Sequence, residues 1–255
     1  MQIRLGLKLW STNHDLFGEA RKHIEAGRAD FIELYTVPGK TDPQALKGAF
    51  SGVPVTIHAP HENHGFNLHA LMDEQVQRFR TEVSKAADAL SSPVIVVHGG
   101  VGTDGSQFSK NLLRLKEPRI VLENMPKEAL GGGICFGYSL DQIRFLYKLS
   151  GSLCIDFGHA IKAAASQNIP YRPFLAEILN QFEPRYFHLS DGDPETPIDE
   201  HRTLGEGSYD LSWIAKQIKE RSNQTDVSVV FEVPKRGVGL ENDLHCIERF
   251  KKLLH

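Results

Sequence analysis

The sequence predicts an α/β protein folded as a (β/α)₈ barrel, one domain spanning residues 1–255, and three observations predict it. Short runs of β-branched and apolar residues bounded by turn signals recur about every thirty residues, and there are eight of them. Segments with helical apolar spacing fall between them, so strand and helix alternate along the whole chain. The length of 255 residues, 40% of them hydrophobic, suits one large core of the size a barrel needs, ~250 residues.

In chain order, Ile3–Trp10 is the first strand, and Leu16–Ala26 follows as a helix with Asp15 as its expected N-cap. Phe31–Tyr35 precedes a helix over Pro43–Phe50 capped by Asp42; Val53–His58 precedes a long helical pattern over Leu71–Leu90. Val94–His98 leads to Gln107–Leu115, and Ile120–Glu123 leads to Leu140–Leu149 behind Ser139. Leu153–Asp156 is paired with Pro173–Phe182, Tyr186–Leu189 with Leu211–Arg221 behind Asp210, and Val227–Glu232 with Asp243–Leu254. A doubly wound open sheet would also alternate strand and helix, but the first strand is not followed by a Gly-x-Gly-x-x-Gly turn. Gly131-Gly-Gly133 reads as a mobile loop.

Composition excludes several function classes. A net charge of −3 gives no global basic field for nucleic acid or an anionic membrane. Apolar stretches such as Val94–Val97 are far shorter than the ~20 residues of a membrane span, and Met1 runs straight into a strand pattern without a signal peptide, so a cytoplasmic location is expected. Cys135, Cys154 and Cys246 are far apart and read as reduced thiols, the latter two as small core residues. A homo-oligomer is compatible with this composition.

A barrel assembles its active site from the carboxyl ends of its strands, so the residue closing each run is the informative one. Strand two carries Glu33, and the third to eighth runs end in His58, His98, Glu123, Asp156, His188 and Glu232. Any one of them alone would be an ordinary paired core residue. Seven converging on one face would be desolvated at a cost of several kcal/mol each, roughly the range for unpaired buried charge, and so imply a compensating cation. Imidazole mixed with carboxylate suits zinc, manganese or iron better than magnesium or calcium. Asp156-Phe-Gly-His159 and Asp199-Glu-His201 add donors, the second because side chains two apart on an extended loop point the same way.

Together Ile57-His58-Ala-Pro60, Val97-His98-Gly-Gly100, Leu122-Glu123-Asn124, Asp156-Phe-Gly-His159, Phe187-His188-Leu-Ser-Asp191, Asp199-Glu-His201 with Gly205-Glu-Gly207, and Phe231-Glu232-Val-Pro234 resemble the xylose-isomerase-like TIM barrels. That superfamily, which includes AP endonuclease family 2, holds endonuclease IV together with sugar isomerases and epimerases of the tagatose 3-epimerase type. The resemblance covers strands three to eight in the same order. Its epimerase branch implies one divalent ion, manganese or zinc, on Glu123, Asp156, His188 and Glu232, with Glu123 and Glu232 also serving as the acid/base pair about an enediolate. Its endonuclease branch implies three zinc ions: one on His58, His98 and Glu123, a second on Glu123, Asp156, His188 and Glu232, a third on His159, Asp199 and His201.

The flanking loops favour sugar chemistry. Where the endonuclease pattern has a DNA-engaging tyrosine after His-Ala-Pro, this chain has His61-Glu-Asn-His64, and Ile32-Glu-Leu34 is similar to a signature of the sugar enzymes. No loop carries the several Lys or Arg residues that tracking a phosphate backbone requires. The expected activity is therefore a metal-dependent isomerase or epimerase acting on a sugar or sugar phosphate, with incision of abasic DNA as the alternative. Lys8, Trp10, His61, Arg202 and Lys235 are the candidate substrate-binding residues, Lys8 being equally readable as an ion-paired lysine. Lys127 and Arg236 are further candidates for an acidic substituent, and Phe66 and Phe157 either pack on sugar carbons or fill core.

Overall fold

The computed structural model describes residues 1–235 and 239–255. Eight parallel strands form a closed barrel in sequential order: β1 (Ile3–Trp10), β2 (Phe31–Tyr35), β3 (Val55–His58), β4 (Ile95–His98), β5 (Ile120–Glu123), β6 (Leu153–Asp156), β7 (Tyr186–Leu189) and β8 (Val227–Phe231), with β8 pairing back to β1. Ten α-helices lie among the described residues: α1 (Phe17–Glu25), α2 (Pro43–Ala49), α3 (Asp73–Arg78), α4 (Lys85–Ala89), α5 (Gly105–Leu115), α6 (Leu140–Ser150), α7 (Phe157–Ser166), α8 (Tyr171–Phe182), α9 (Leu211–Ser222) and α10 (Glu241–Leu253). None is long and apolar enough to cross a membrane.

The eight expected strands are present with ends shifted by one or two residues. Val53 and Val94 fall outside β3 and β4, and Glu232 lies just beyond β8, where its N–H still donates to the Leu189 carbonyl at 3.1 Å. Asp42, Ser139 and Asp210 cap their helices as expected, each accepting backbone N–H bonds from the first turn. Asp15 does not cap α1. It lies inside a short 3₁₀ turn, His14–Leu16, that leads into the helix. Asp104 starts α5 two residues earlier than the periodicity suggests, and the long Leu71–Leu90 pattern is α3 and α4 joined by a π-helical stretch at Phe79–Ser84.

The helix that periodicity misses is α7. Eight of its ten residues are buried, His159 and Lys162 among them, so its polar positions do not mark a solvent-facing side. Asp156, the last residue of β6, doubles as its N-cap by accepting the His159 N–H at 2.7 Å. Gly131-Gly-Gly133 forms the tip of an antiparallel turn in which Glu128 pairs with Ile134 and the Cys135 N–H donates to the Lys127 carbonyl. This turn is tied to the loop after β4 through Phe136 N–H to the Gly100 carbonyl and Gly102 N–H to the Ile134 carbonyl.

Two hydrophobic clusters follow from the period of two along each strand. One fills the space between barrel and helices. The other plugs the barrel interior and consists of Phe31, Val96, Val121, Cys154, Tyr186 and Val230. Each plug residue stands two positions before an ionisable one: Glu33, His98, Glu123, Asp156, His188 and Glu232 respectively. The alternation that sends the plug inward therefore sends those six polar side chains to the same axis, one layer higher. Gly6 of β1 completes the plug by omission, because a Cβ there would lie 2.6 Å from the Phe31 ring. Cys154 and Cys246 are core residues as expected.

At Gly99 an added Cβ would sit 1.7 Å from the Phe136 carbonyl oxygen, so the turn closes over the barrel only because residue 99 has no side chain. We expect Gly99→Ala to cost about 1–3 kcal/mol, as overpacking generally does. Thermal unfolding should then show a midpoint lowered by roughly 2–12 °C at the 2–4 °C per kcal/mol of a chain this size. An unchanged midpoint would contradict the close packing of this turn.

Candidate metal centre

The polar layer above the plug is the only part of the barrel axis where charge accumulates among the described residues. Glu33, Glu123, Asp156 and His188 are fully buried, and His58, His159 and Glu232 nearly so. Strand register sets the neighbours: Lys8 lies beside Glu33, His98 beside Glu123 and Asp156 beside His188.

Glu123 stands at the middle. One carboxylate oxygen lies 3.0 Å from Nδ1 of His188 and 3.4 Å from Nδ1 of His159; the other lies 3.4 Å from Nε2 of both His58 and His98. Nδ1 of His188 is also 3.3 Å from Glu232, and its Nε2 is 3.0 Å from Glu33. Donor atoms of His58, His98 and Glu123 lie within 4.8 Å of one another, as do those of Glu123, Asp156, His188 and Glu232. A third such group is Asp156, His159 and His201. Asp199 adjoins it, with Oδ2 2.5 Å from Nε2 of His201 and 3.5 Å from Nε2 of His159. All nine candidate ligands thus converge, and Asp156 is shared between the second and third groups.

The polar atoms in these groups are poorly served by the chain itself. His58 Nε2, Glu123 Oε2, Asp156 Oδ2 and Asp199 Oδ1 are buried without a hydrogen-bond partner. The tautomers explain part of this. Nδ1 of His58 donates to the Ala59 carbonyl at 2.7 Å, which turns its Nε2 lone pair toward Glu123, and Nδ1 of His159 donates to the Asn124 carbonyl at 3.0 Å, which turns its Nε2 toward Asp199. A lone pair facing a carboxylate is repulsive unless a cation stands between them. Gly158 keeps the space open, since a Cβ there would lie 3.1 Å from Asp156 and 3.8 Å from Asp199. The donor set, with imidazole and carboxylate mixed, therefore fits zinc or manganese.

Protonation moves in the direction this crowding requires. Burial alone would raise the Glu123 carboxyl, but His188 and His98 hold it well below the usual carboxylate range. Burial is likewise outweighed at Glu232 by Lys8 and His188, and at Glu33 by His188 and Lys8, which bring Glu33 down to about 2. His201 moves the other way: burial lowers it, yet the Asp199 carboxylate raises it to about 9. Asp156 is pushed up by burial. An ion bound here would displace the imidazole protons that otherwise balance these carboxylates.

Above the cluster is a cavity of about 560 Å³. Lys8, Trp10, His61 and Lys235 all line it. Lys8 is ion-paired as well, its ammonium held 2.5 Å from both Glu33 and Glu232, and Lys235 is paired with the buried Asp243. Arg202 is not brought to the cavity: it is exposed and pairs with Glu200. Lys127 stacks over the Tyr138 ring, Phe66 and Phe157 are core residues, and Arg236 lies outside the described residues.

Several residues of the site escape sequence reasoning. Tyr35 presents its ring to His58 and His61 and its hydroxyl to Nδ1 of His64 at 2.5 Å. Tyr186 donates to Glu33 at 2.7 Å. Asn124 pins β5 to β6 by exchanging side-chain bonds with both backbone atoms of Asp156. Only Asn124 leaves a trace in the sequence, directly after Glu123; the two tyrosines look like ordinary strand aromatics.

The barrel is shared with proteins of different chemistry. Endonuclease IV from Thermus thermophilus superposes with a TM-score of 0.69 at 20% identity over 98% of each chain. The 3-keto-D-glucoside 4-epimerase from E. coli gives 0.67 at 14% identity, over 98% of this chain and 100% of that one. An AP endonuclease, family 2, from Brucella melitensis gives 0.68 at 15% identity, over 96% and 98%. At such identities the likeness is one of fold. A search of curated proteins found no match. The sequence itself matches the xylose isomerase-like TIM barrel family over residues 22–250, which is most of the chain. With its closed eight-stranded parallel barrel and the polar layer at the strand ends, this chain belongs to the xylose isomerase-like TIM barrel family.

Proposed function

We propose that the chain is a divalent-metal-dependent isomerase or epimerase of a sugar or sugar phosphate, with Glu123 and Glu232 as its acid/base pair. The observation that carries this reading is the character of the cavity. Its volume of about 560 Å³ is that of a small-molecule site, and Trp10, Tyr35, Met125 and Leu130 give it apolar walls. Lys8 and Lys235 are its only Lys or Arg side chains among the described residues, and both are already paired with carboxylates. A nucleic-acid backbone needs several uncommitted cations along its path; a sugar needs polar groups over the reacting carbons and apolar surface around them.

Glu123, Asp156, His188 and Glu232 would hold the ion, manganese or zinc. When bound, it supplies Lewis acidity that makes the C–H beside a substrate carbonyl easier to ionise. The chain's own residues then handle the proton. Glu123 and Glu232 reach the same imidazole nitrogen of His188, and of the two carboxylates Glu232 lines the cavity while Glu123 lies fully buried beside it. Both are held in the ionised form, so either can take a proton from the carbon, and the partner can return it to that carbon or its neighbour. Lys8 fixes Glu232 against Glu33. Trp10 and His61 are placed to contact the substrate at the wall.

A second reading, phosphodiester cleavage of the endonuclease IV type, is favoured by one specific feature. His159, Asp199 and His201 adjoin the first ligand set closely enough for a second or third ion, and adjacent cations suit phosphoryl chemistry.

Protein purified without chelator should carry at least one manganese or zinc ion per chain by elemental analysis. Glu123→Ala should lose more metal than His98→Ala, because Glu123 faces two ligand groups and His98 one. Equal metal content in wild type and Glu123→Ala would contradict the ligand assignment.

The reaction itself is tested in deuterated water. A ketose or ketose phosphate should gain deuterium at the carbon next to the carbonyl, and Glu232→Gln should slow this by roughly 10²–10⁴-fold at equal metal loading, the range for loss of a general acid or base. Metal-dependent incision of abasic duplex DNA, with no exchange across a panel of sugars, would overturn this reading in favour of the second.

A further inference from the structure

Lys162 is a fully buried lysine that neither the barrel core nor the proposed proton transfers require. It lies on α7, three residues after His159, so one helix face carries both. Its ammonium makes three hydrogen bonds, to the Asp193 carbonyl at 2.6 Å, Thr196 Oγ1 at 2.9 Å and Glu200 Oε2 at 2.7 Å. All three acceptors belong to the loop after β7, and Glu200 stands between Asp199 and His201. The same Glu200 oxygen accepts the Asp193 N–H at 2.8 Å, and the Tyr209 ring lies 5.6 Å from the ammonium.

The loop is closed at its base by a different device. Asp191 and Arg202 exchange backbone hydrogen bonds of 2.8 Å, and the Asp191 carboxylate accepts N–H bonds from Gly192, Gly205 and Tyr209. That closure reaches only as far as Arg202, and it is Glu200, between Asp199 and His201, that ties this stretch to α7 through Lys162. His201 there has a left-handed backbone, φ +47°, which a β-carbon disfavours and which persists only where neighbours enforce it.

We propose that Lys162 is the positioning residue of the His159–Asp199–His201 subsite. Its ammonium locks Glu200 to α7 and so holds Asp199 and His201 at a fixed distance from His159, the ligand supplied by that helix. A lysine suits this task because its three donors engage a carbonyl, a hydroxyl and a carboxylate at once, whereas a neutral residue would leave the Asp193 carbonyl, Thr196 and Glu200 Oε2 without their shared donor and Glu200 tied only to Asp193 and Arg202 of its own loop. The inference rests on an ion occupying this subsite, and it holds for either reaction considered above.

The test is a titration of the metal-free full-length chain with Co²⁺, followed by visible absorption and by elemental analysis of bound ions. Wild type, His201→Ala, Lys162→Met and Glu200→Ala are compared. Lys162→Met should weaken one ion by about 10–100-fold, the usual effect of removing a group that orients ligands. The ions on the Glu123 groups should bind as in wild type, a selectivity that general destabilisation would not give. Glu200→Ala should lose the same ion, and it decides the matter alone if Lys162→Met does not fold. If His201→Ala loses an ion while Lys162→Met and Glu200→Ala keep it at wild-type affinity, the clamp is wrong although the subsite is real. If His201→Ala itself retains every ion, the subsite holds none and the proposal falls with it.

Discussion

The fold is organised around the desolvation of charge at one end of the barrel. Glu33, Glu123, Asp156 and Glu232 are carboxylates with almost no access to water, and an uncompensated charge in such a place costs several kcal/mol, on the order usual for buried ions. The chain supplies partial compensation from Lys8 and from the imidazoles of His159, His188 and His201, but burial holds His58 neutral and leaves its lone pair directed at Glu123. Most of the site follows from that deficit. The fixed tautomers of His58 and His159, the glycine at 158 and the raised proton affinity of His201 are responses to a place built for positive charge.

The barrel delivers this arrangement through its simplest property, the alternation of side chains along a strand. Phe31, Val96, Val121, Cys154, Tyr186 and Val230 fill the interior layer, and the residues two further on meet above it. No single strand needs an unusual conformation to present its ligand. Among the candidate ligands a left-handed backbone occurs at His201, in the loop after β7, where Asp191 closes the base of the loop and Lys162 holds its middle. The scaffold is thus regular where it carries Glu123, His188 and Glu232, and irregular where it carries Asp199 and His201.

Much of this was legible in the sequence because strand period and strand ends are local signals. The eight runs, their sequential order, Glu33 within the second and the six ionisable residues that close the third to eighth can be read without knowing any tertiary contact, and so can the caps Asp42, Ser139 and Asp210. What escaped was set by long-range packing. Helix α7 is buried on nearly every side, so its polar residues His159 and Lys162 do not mark a solvent face as they would on a surface helix. Asp15 has the right residue type for a cap but falls within a 3₁₀ turn. The pairing of Lys8 with Glu33 and Glu232 depends on residues as far as 224 positions apart in the chain. Arg202 follows Asp199-Glu-His201 directly in sequence, yet its side chain pairs with Glu200 and does not line the cavity.

The central claim is that the buried carboxylates and imidazoles around Glu123 form a metal centre and are not merely a hydrogen-bonded polar core. Anomalous X-ray diffraction from crystals grown with Mn²⁺ or Zn²⁺ tests it most directly. The account predicts an anomalous peak enclosed by Glu123, Asp156, His188 and Glu232, within the usual ~2.0–2.2 Å of their donor atoms. Crystals that show no such peak, with Lys8 and His188 satisfying the carboxylates unaided, would contradict it.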